Sequence, residues 1–456
     1  MDKRLTRHIA IIGGGWAGLA CAVELAAAGQ KVCVFEAARQ LGGRARRVDA
    51  HGHALDNGQH ILIGAYRDTL RVMRLCNADP ERLLQRHPLE LNFPASSFRM
   101  RLLRLPAPMH LAVGLLATHG CSLGEKFAAA RFIRTLQAQG YEVGGDLSVA
   151  ELLDRHRQTG SIRHHMWEPL CLAALNTPLE RASAQIFANV LRDSLGGNRQ
   201  DTDLLLPTTD LDRLFPECAA RFVTAHGGEI RLSSRVERME CRGETLAING
   251  EPFDHIVVAT APQHAASLLE RHTETRDIAT RLGGYDYEPI GTVYLGYPDA
   301  VQFEFPMLGM GVGTPGSLGQ WVFDRGQLGG MKGVMGFVLS AQGAWDQLAN
   351  NELAAALHGE LQHLLGRTLP EPLWHQVIRE RRATFSCRPG LHRPETRTPL
   401  RGLWLAGDYV CAEYPATLEA AVRSGVAAAL GILFETVLSA DTHAPPQTTP
   451  RSTQSA

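Results

Sequence analysis

The chain has 456 residues, of which 45% are hydrophobic and 20% are charged, so it can bury a sizeable core and is not disordered. Its formal net charge of -1 and its pI of about 7.0 give no electrostatic reason to expect a nucleic-acid partner. None of its nine cysteines forms a C-x-x-C pair, so the sequence predicts neither a metal site nor a redox dithiol. Scattered single cysteines are typical of reduced thiols in a cytoplasmic protein.

The N-terminal segment predicts a strand, a glycine turn, a helix and a second strand. An apolar strand over His8–Ile12 stops at Gly13, and an Ala/Leu-rich helix follows over Ala17–Ala28. A second strand over Lys31–Glu36 ends in an acid. This order is the one that a parallel sheet with a crossover helix requires.

Later segments also look like parts of the same sheet. They are Glu229 to Val236, His255 to Thr260 after a hairpin-like region, and Leu403 to Ala406, with a helix from about Leu418 to Val437. The predicted fold class is therefore α/β, with a Rossmann-type cofactor domain and an inserted α+β substrate domain.

The predicted domains are discontinuous. The cofactor domain would comprise residues 1–76, 210–261 and 399–438, and the substrate-binding domain residues 77–209 and 262–398. Residues 439–456, rich in Thr, Pro, Gln and Ser, are expected to form a disordered tail.

The first glycine loop fits the dinucleotide-binding pattern G-x-G-x-x-G. Gly13 makes the tight turn out of the strand, Gly15 lets a pyrophosphate approach the backbone, and Gly18 lets the helix pack against the sheet. The backbone N–H groups of Trp16 and Ala17 then lie at a helix N-terminus, which attracts phosphate.

An acid and a second glycine loop indicate which dinucleotide cofactor the chain binds. Glu36 at the end of the second strand can accept both ribose hydroxyls, which favours an unphosphorylated ribose. The segment from Arg39 through Gly42 and Gly43 to Arg44 places two glycines and a basic residue just beyond it. Such a loop can approach the diphosphate and ribityl chain of a longer cofactor, so FAD is predicted.

Here the chain resembles the superfamily of FAD-dependent amine oxidases and carotenoid desaturases, whose fold is of the glutathione-reductase/amine-oxidase type and whose members carry an R-x-x-G-G-R segment. The C-terminal runs LAGD and YPATLEAAVRSG also look like its closing motif. The resemblance implies that Gly407 and Asp408 contact the ribityl–diphosphate region and that Thr417 and Leu418 face the pyrimidine end of the flavin. It also implies that the backbone of Val236 contacts the adenine.

Two further sequence runs make the resemblance more specific, from the superfamily to one family within it. The run DNGQH, with Gly58 at its centre, follows the second glycine loop, where the superfamily brings backbone up to the flavin. With the run LCLAALNTP, it resembles a family of this superfamily, the hydroxysqualene dehydroxylases, and the likeness extends to about residue 435. It implies reductive removal of the hydroxyl of hydroxysqualene, giving squalene in hopanoid biosynthesis, with hydride from reduced FAD.

That chemistry is helped by an acid that protonates the leaving hydroxyl. The candidates are Asp56, His60, Glu168 and Glu413. Each has a structural alternative, such as a turn cap for Asp56 and a hydrogen-bonded core residue for His60. A site without a protein acid is also compatible with the resemblance, because the superfamily often works by hydride transfer alone.

The substrate would be a long-chain isoprenoid. The apolar run Leu102–Leu116 predicts either a segment that dips into a bilayer or an ordinary core helix. No stretch reaches the roughly 18 apolar residues of a spanning helix. We expect a cytoplasmic protein, with a peripheral location on the inner face of the cytoplasmic membrane as the second possibility.

Other interpretations stay open. The nearest rival is an oxidative polyene desaturase, and a non-enzymatic alternative is a flavin-stabilised scaffold of a lipid-synthesis complex. An amine oxidase is disfavoured because aromatics make up only 6% of the chain and form no obvious cage. The glycines of Gly309–Gly313 open no apolar helix, so no nicotinamide domain is predicted and the electron donor is unassigned, as is the oligomeric state.

Overall fold

The structure is a computed structural model that describes residues 6–242, 245–299, 301–311 and 317–442. Its strands are β1 His8–Ile12, β2 Lys31–Phe35, β3 Arg47–Ala50, β4 His53–Asp56, β5 Leu62–Ile63, β6 Leu84–His87, β7 Glu90–Phe93, β8 Phe98–Arg101, β9 Leu204–Pro207, β10 Glu229–Arg231, β11 Glu240–Arg242, β12 Thr245–Ile248, β13 Glu251–Phe253, β14 His255–Val258, β15 Tyr287–Gly296, β16 Met307–Gly309, β17 Trp321–Asp324, β18 Val334–Ser340, β19 Trp374–Phe385 and β20 Leu403–Leu405.

Its α-helices are α1 Trp16–Ala27, α2 Arg67–Leu75, α3 Pro80–Leu83, α4 Met109–Leu116, α5 Leu123–Ala138, α6 Val149–Arg155, α7 Gly160–Ile162, α8 Glu168–Leu175, α9 Ala184–Leu195, α10 Leu211–Leu214, α11 Pro216–Ala225, α12 Pro262–Leu269, α13 Arg276–Gly283, α14 Asn350–Leu365 and α15 Leu418–Thr442. A π-helical turn over Arg163–Trp167 precedes α8.

A five-stranded parallel sheet in the order β10-β2-β1-β14-β20 is the base of the cofactor-binding unit. In its centre, Ile11 of β1 lies opposite Val34 of β2 and Val257 of β14. These strands are continuous apolar runs because helices cover both faces of a parallel sheet. The predicted Rossmann-type α/β fold is confirmed.

Two glycines let α1 lie close to its neighbours. A Cβ added to Gly18 would come 2.0 Å from the Gly13 carbonyl oxygen, and one added to Gly425 would come 2.1 Å from the Ala17 carbonyl oxygen. Neither position has room for a side chain. The last helix, α15, therefore packs directly on the first helix of the chain.

A second five-stranded sheet, in the order β16-β17-β18-β15-β19, is antiparallel. Val293 and Leu295 of β15 share one core with Leu353 and Leu357 of α14, so that helix covers one face of the sheet. The alternate residue Tyr294 points the other way, towards the end of β4. This sheet therefore carries side chains to the loop that follows β4.

A smaller sheet joins parts of the chain that the sequence assigned to different domains. Strand β9 pairs with β5, from the predicted cofactor segment, and with β6, from the predicted substrate segment. The boundary between residues 76 and 77 therefore does not coincide with a break in backbone pairing. The two-domain division stays a prediction.

Three expectations need correction. The strand predicted from Glu229 to Val236 ends at Arg231, which pairs with Phe35 at the end of the neighbouring strand β2; Val236 lies outside the ladder. The hairpin-like region before His255 is a three-stranded sheet, β11-β12-β13. The disordered tail was placed too early, since α15 continues to Thr442; residues 443–456 lie outside the described part of the chain.

Only part of the apolar run Leu102–Leu116 is helical. The helix α4 has eight residues, and the segment before it turns at a cis bond between Ala107 and Pro108. None of the helices described by the structure has both the length and the apolar character to cross a bilayer.

Candidate cofactor and active site

The two glycine loops form one groove that is bare of side chains. The N–H of Gly42 donates to the Gly14 carbonyl oxygen at 2.9 Å, and Gly15 forms a parallel bridge with Gly42. A Cβ added to Gly15 would have a single neighbour within 4 Å, the Gly43 Cα at 3.9 Å. The groove thus has room for a pyrophosphate against backbone N–H groups, which fits the predicted cofactor.

Helix α1 opens onto this groove without a side-chain cap, because its N-cap residue is Gly15. The Trp16 indole packs on Phe215 with ring centroids 4.9 Å apart and donates to the Ala45 carbonyl oxygen at 3.3 Å. Ala17 is also buried in the core. Trp16 and Ala17 can therefore offer a ligand only backbone N–H groups, as the glycine pattern predicts.

The Glu36 carboxylate is held at the edge of the groove. One oxygen accepts from the Gly14 N–H and the other from the Ala38 N–H, both at 2.7 Å. Each carboxylate oxygen retains lone pairs for a ribose hydroxyl. Ser234 donates its N–H to the Glu36 carbonyl oxygen at 2.8 Å, so the segment leading to Val236 runs beside this acid. The Arg39 side chain, by contrast, is exposed.

The second glycine loop is joined to the C-terminal motif by an ion pair. The Arg44 guanidinium donates to both carboxylate oxygens of Asp408 at 2.8 Å and to the Ala383 carbonyl oxygen at 2.7 Å. Gly407, at φ +155°, donates its N–H to Ser424 Oγ at 2.7 Å. The three predicted cofactor residues Arg44, Gly407 and Asp408 are thus brought together, with Arg44 and Asp408 bound to each other.

The N-terminus of α15 is capped and its preceding loop is fixed. Thr417 Oγ1 accepts from the Ala420 N–H at 3.2 Å, and Leu418 is half-buried beside it. Arg393 donates to the carbonyl oxygens of Cys411, at 2.7 Å, and of Tyr414. This arrangement holds the helix end that the resemblance assigns to the flavin.

The DNGQH loop is hydrogen-bonded to the second glycine loop and the residues that follow it. The Asn57 N–H donates to the Arg46 carbonyl oxygen at 3.0 Å, and the Arg46 N–H donates to Asn57 Oδ1 at 3.2 Å. The Asn57 side-chain amide also donates to the Arg44 carbonyl oxygen. His60 Nδ1 lies 3.0 Å from the Gly58 carbonyl oxygen. The sequence thus brings Gly58 and His60 next to Arg44.

A buried polar network lies beneath this loop. Tyr294 donates its hydroxyl to the Asp56 carbonyl oxygen at 2.8 Å and accepts from the Gln59 amide at 2.6 Å. Arg325 donates to Gln59 Oε1 at 3.0 Å and lies 3.6 Å from the Asp56 carboxylate, which also accepts from the Leu211 N–H at 2.8 Å. Burial raises the pKa of Asp56 to about 7, against the opposing effects of Arg325 and the Leu211 N–H.

The four candidate acids occupy three different places. Asp56 is enclosed in the network, whereas His60 lies on the same loop beside Arg44. Glu168 begins α8 and pairs with Arg163 at 3.4 Å and His164 at 3.0 Å. Glu413 is exposed and lies 3.6 Å from Arg192. Only Asp56 and His60 are brought together.

Burial lowers the pKa of His60; the hydrogen bond to Gly58 opposes this effect, and the Arg44 charge adds to it. The neutral ring that results donates from Nδ1 to Gly58, which leaves Nε2 as an acceptor. His60 is therefore suited to accept a hydrogen bond and poorly suited to supply a proton near neutral pH.

Sequence reasoning missed the residues that hold the site from distant parts of the chain. Arg325 reaches Gln59 across 266 positions, and Tyr294 reaches Asp56 across 238. Arg393 and Ser424 fix the C-terminal motif. Local pattern carried no signal for Arg325 and Tyr294, although Ser424 lies inside the motif that the sequence singled out.

Together, the parallel dinucleotide-binding sheet, the joined glycine loops and the C-terminal motif define an FAD-dependent oxidoreductase. The chain belongs to the family of flavin-containing amine oxidoreductases, whose sequence profile matches residues 16–433. The predicted superfamily, cofactor and enzyme class are confirmed.

Among its relatives, the chain is 28% identical over 447 residues to the hydroxysqualene dehydroxylase of Rhodopseudomonas palustris, covering 93% of this chain and 98% of that protein. It is 22% identical over 461 residues to the 15-cis-phytoene desaturase of Synechococcus elongatus, with 93% and 96% covered. A solved putrescine oxidase double mutant superposes with a TM-score of 0.69 at 18% identity, covering 94% of this chain and 99% of that one, which shows the shared fold.

Gly15→Val should give a folded protein without flavin, because the added side chain fills the groove but meets no protein atom closer than 3.9 Å at its Cβ. Gly18→Val is the matched control and should fail to fold, since its Cβ would lie 2.0 Å from the Gly13 carbonyl oxygen. The flavin-to-protein absorbance ratio and circular dichroism measure both effects. A yellow, fully loaded Gly15→Val protein would contradict the assignment of the groove.

Glu36→Ala should weaken FAD binding, because the ribose hydroxyls lose a charged acceptor. Hydrogen bonds to charged groups contribute about 1.5–3 kcal/mol, so the Kd should rise about 10- to 100-fold. Fluorescence titration of the apoprotein measures this, with Glu36→Gln as the isosteric control of intermediate effect. An unchanged Kd would remove Glu36 from the site.

Arg325→Met should make stability depend more steeply on pH above neutrality. The Asp56 carboxyl, with a folded pKa of about 7, stays protonated in the native state while it ionises at about 3.9 in the unfolded chain, so stability falls as pH rises between these values. Removing the nearby cation raises the folded pKa further and extends this fall. The difference in Tm from wild type should be larger at about pH 9 than at about pH 6; an equal difference would show that Arg325 does not act on this carboxylate.

Proposed function

We propose that the chain reductively removes the hydroxyl of hydroxysqualene and releases squalene. The observation that carries this proposal is the end-to-end similarity to a hydroxysqualene dehydroxylase, which spans the cofactor motifs and the segments between them. The similarity to a phytoene desaturase is weaker in identity, so oxidative desaturation of a polyene is the second candidate.

The reaction balances when the substrate receives one hydride and one proton. The C–O bond breaks, a C–H bond forms with one hydride, and the leaving hydroxyl takes one proton to depart as water. Bound FAD in its reduced form supplies the hydride, and an external reductant must restore it. The chain must bind the apolar substrate, orient its hydroxyl and keep bulk water away from the reacting carbon.

His60 is the residue we propose to orient the hydroxyl. Its Nδ1 is engaged by Gly58, so its Nε2 can accept a hydrogen bond from the substrate hydroxyl. Because its pKa is lowered, the ring stays neutral around neutral pH and does not carry the proton that the leaving group needs. We infer that this proton comes from solvent and that Asp56 supports the loop from beneath.

An aromatic cluster in the core next to the loop supports an apolar substrate. Ile61, which follows the loop, packs against the hydrophobic core that contains Phe93, Phe98 and Trp321. Phe93 lies 5.3 Å from Trp321 by ring centroids, and His165 stacks on Phe98 at 5.0 Å. Apolar surroundings of this kind suit a hydrocarbon chain better than a charged amine. We infer that the protein acts in the cytoplasm, bound peripherally to the inner face of the cytoplasmic membrane, where a long-chain isoprenoid resides.

A single-turnover experiment without oxygen tests the function. The flavin of the purified protein is reduced chemically, hydroxysqualene is added, and the visible flavin band is followed while the lipid is extracted. Return of the band together with squalene is the expected result.

If the reduced flavin stays bleached with hydroxysqualene, the dehydroxylase proposal fails. Adding squalene to the oxidised protein is the second arm, in which bleaching would indicate the oxidative desaturase. The Gly15→Val protein, which should lack flavin, is the blank for both arms.

A further inference from the structure

The large exposed hydrophobic side chains are unevenly distributed along the described residues. Nine of them are at least 42% exposed, and five fall within the short stretch from Leu103 to Phe127. These five are Leu103, Met109, Leu116, Leu123 and Phe127. We call the surface formed by Leu103–Leu116 and the first turns of α5 the α4–α5 corner.

Helix α4 presents an apolar face outward as well as inward. Leu111 and Leu115 are buried in the core, and Gly114 lies so close to Leu102 that a Cβ would be 2.5 Å from its side chain. The opposite face carries Met109 and Leu116 into solvent. A surface helix normally turns polar residues outward, so this face indicates a partner.

The exposed residues of α5 belong to the same surface. Lys126 is buried and donates its Nζ to the Leu116 carbonyl oxygen at 2.7 Å, which ties the start of α5 to the end of α4. Leu123 and Phe127, on either side of this lysine, are 65% and 66% exposed. This hydrogen bond thus fixes the exposed residues of α5 relative to those of α4.

The charges carried by the stretch that forms the corner are almost all positive. Between residues 99 and 134 the acidic residue is Glu125, and it is used in the capping box with Ser122. Arg99 and Arg101 share the buried Glu90 at 2.8 and 3.4 Å. The further basic residues of this stretch that stand exposed are Arg104, Arg131 and Arg134.

We propose that the α4–α5 corner docks on an anionic lipid surface. An apolar face on a stretch rich in exposed arginines, whose one acid is engaged in a capping box, complements an acyl layer beneath anionic headgroups. The inference deepens the proposed function, on which it rests, because the substrate of that reaction is a long-chain isoprenoid alcohol that dissolves in membranes. It names the surface of this chain that meets the membrane.

The corner also lies directly outside the apolar core. Strand β8 alternates, with Phe98 and Met100 buried and Arg99 and Arg101 exposed. Phe98 contacts His165 and Phe93 on the inner side. A docked corner would therefore bring a bilayer to within one strand of the aromatic cluster that contains Phe93 and Phe98.

Vesicle flotation with the flavin-loaded full chain tests the surface. Vesicles of phosphatidylcholine alone are compared with vesicles that also contain phosphatidylglycerol. The test variant carries Leu116→Glu, Leu123→Glu and Phe127→Glu. The matched control carries Leu232→Glu and Leu373→Glu, two exposed leucines outside the corner.

The wild type and the control should float with the anionic vesicles, less at high ionic strength, and the test variant should lose at least about tenfold in partitioning. Flavin content checks that each protein is folded. Equal flotation of the test variant, or no flotation of the wild type with anionic vesicles, would overturn the proposal. So would a wild-type dimer in gel filtration that the test variant turns into a monomer, since a second copy would then cover the corner.

Failure of this inference can be told apart from failure of the function. With hydroxysqualene presented in detergent micelles, the test variant should reduce it as fast as wild type, since its three changed residues lie outside the proposed site. Turnover without vesicle binding would refute only the docking surface. Vesicle binding without turnover would refute only the dehydroxylase.

Discussion

The site depends on the ion pair between Arg44 and Asp408. The two residues are 364 positions apart, and their paired hydrogen bonds of 2.8 Å join the second glycine loop to the C-terminal motif. Asp408 is almost fully buried, so the loss of Arg44 would leave a carboxylate without a partner in the interior. Arg44 also accepts the Asn57 amide through its carbonyl oxygen, so the DNGQH loop takes its position from the same residue. Two loops that are neighbours in sequence and a motif 364 positions away thus share one anchor.

A second constraint lies below that anchor. The side chains of Gln59, Tyr294 and Arg325 are joined by hydrogen bonds to one another and to the Asp56 carbonyl oxygen, which fixes their positions. This network connects the DNGQH loop to the antiparallel sheet through β15 and through the turn after β17. The antiparallel sheet and the loop that carries His60 are therefore fixed relative to each other.

Local pattern predicted the parts of this site that depend on neighbours in sequence. The glycine loop, Glu36 and the start of α15 follow from turns, strand ends and helix starts, which a few consecutive residues specify. Arg325 and Tyr294 could not be predicted, since their partners are more than two hundred positions away. The end of β10 was misjudged at Val236 because the length of this strand is set by its partner β2 rather than by its own sequence. The run Leu102–Leu116 stayed ambiguous because both faces of α4 are apolar, and exposure is a tertiary property.

The strand order of the parallel sheet has a consequence for how the protein is made. Its edge strand β20, at Leu403–Leu405, and the carboxylate of Asp408 leave the ribosome after almost everything else. A nascent chain that ends before them has both glycine loops but lacks the partner of Arg44 and the helix that packs on α1. Long-range pairing of this kind forms late in folding. We therefore expect flavin capture to wait for the C-terminal motif, because a chain that stops before Asp408 lacks the anchor of its second glycine loop.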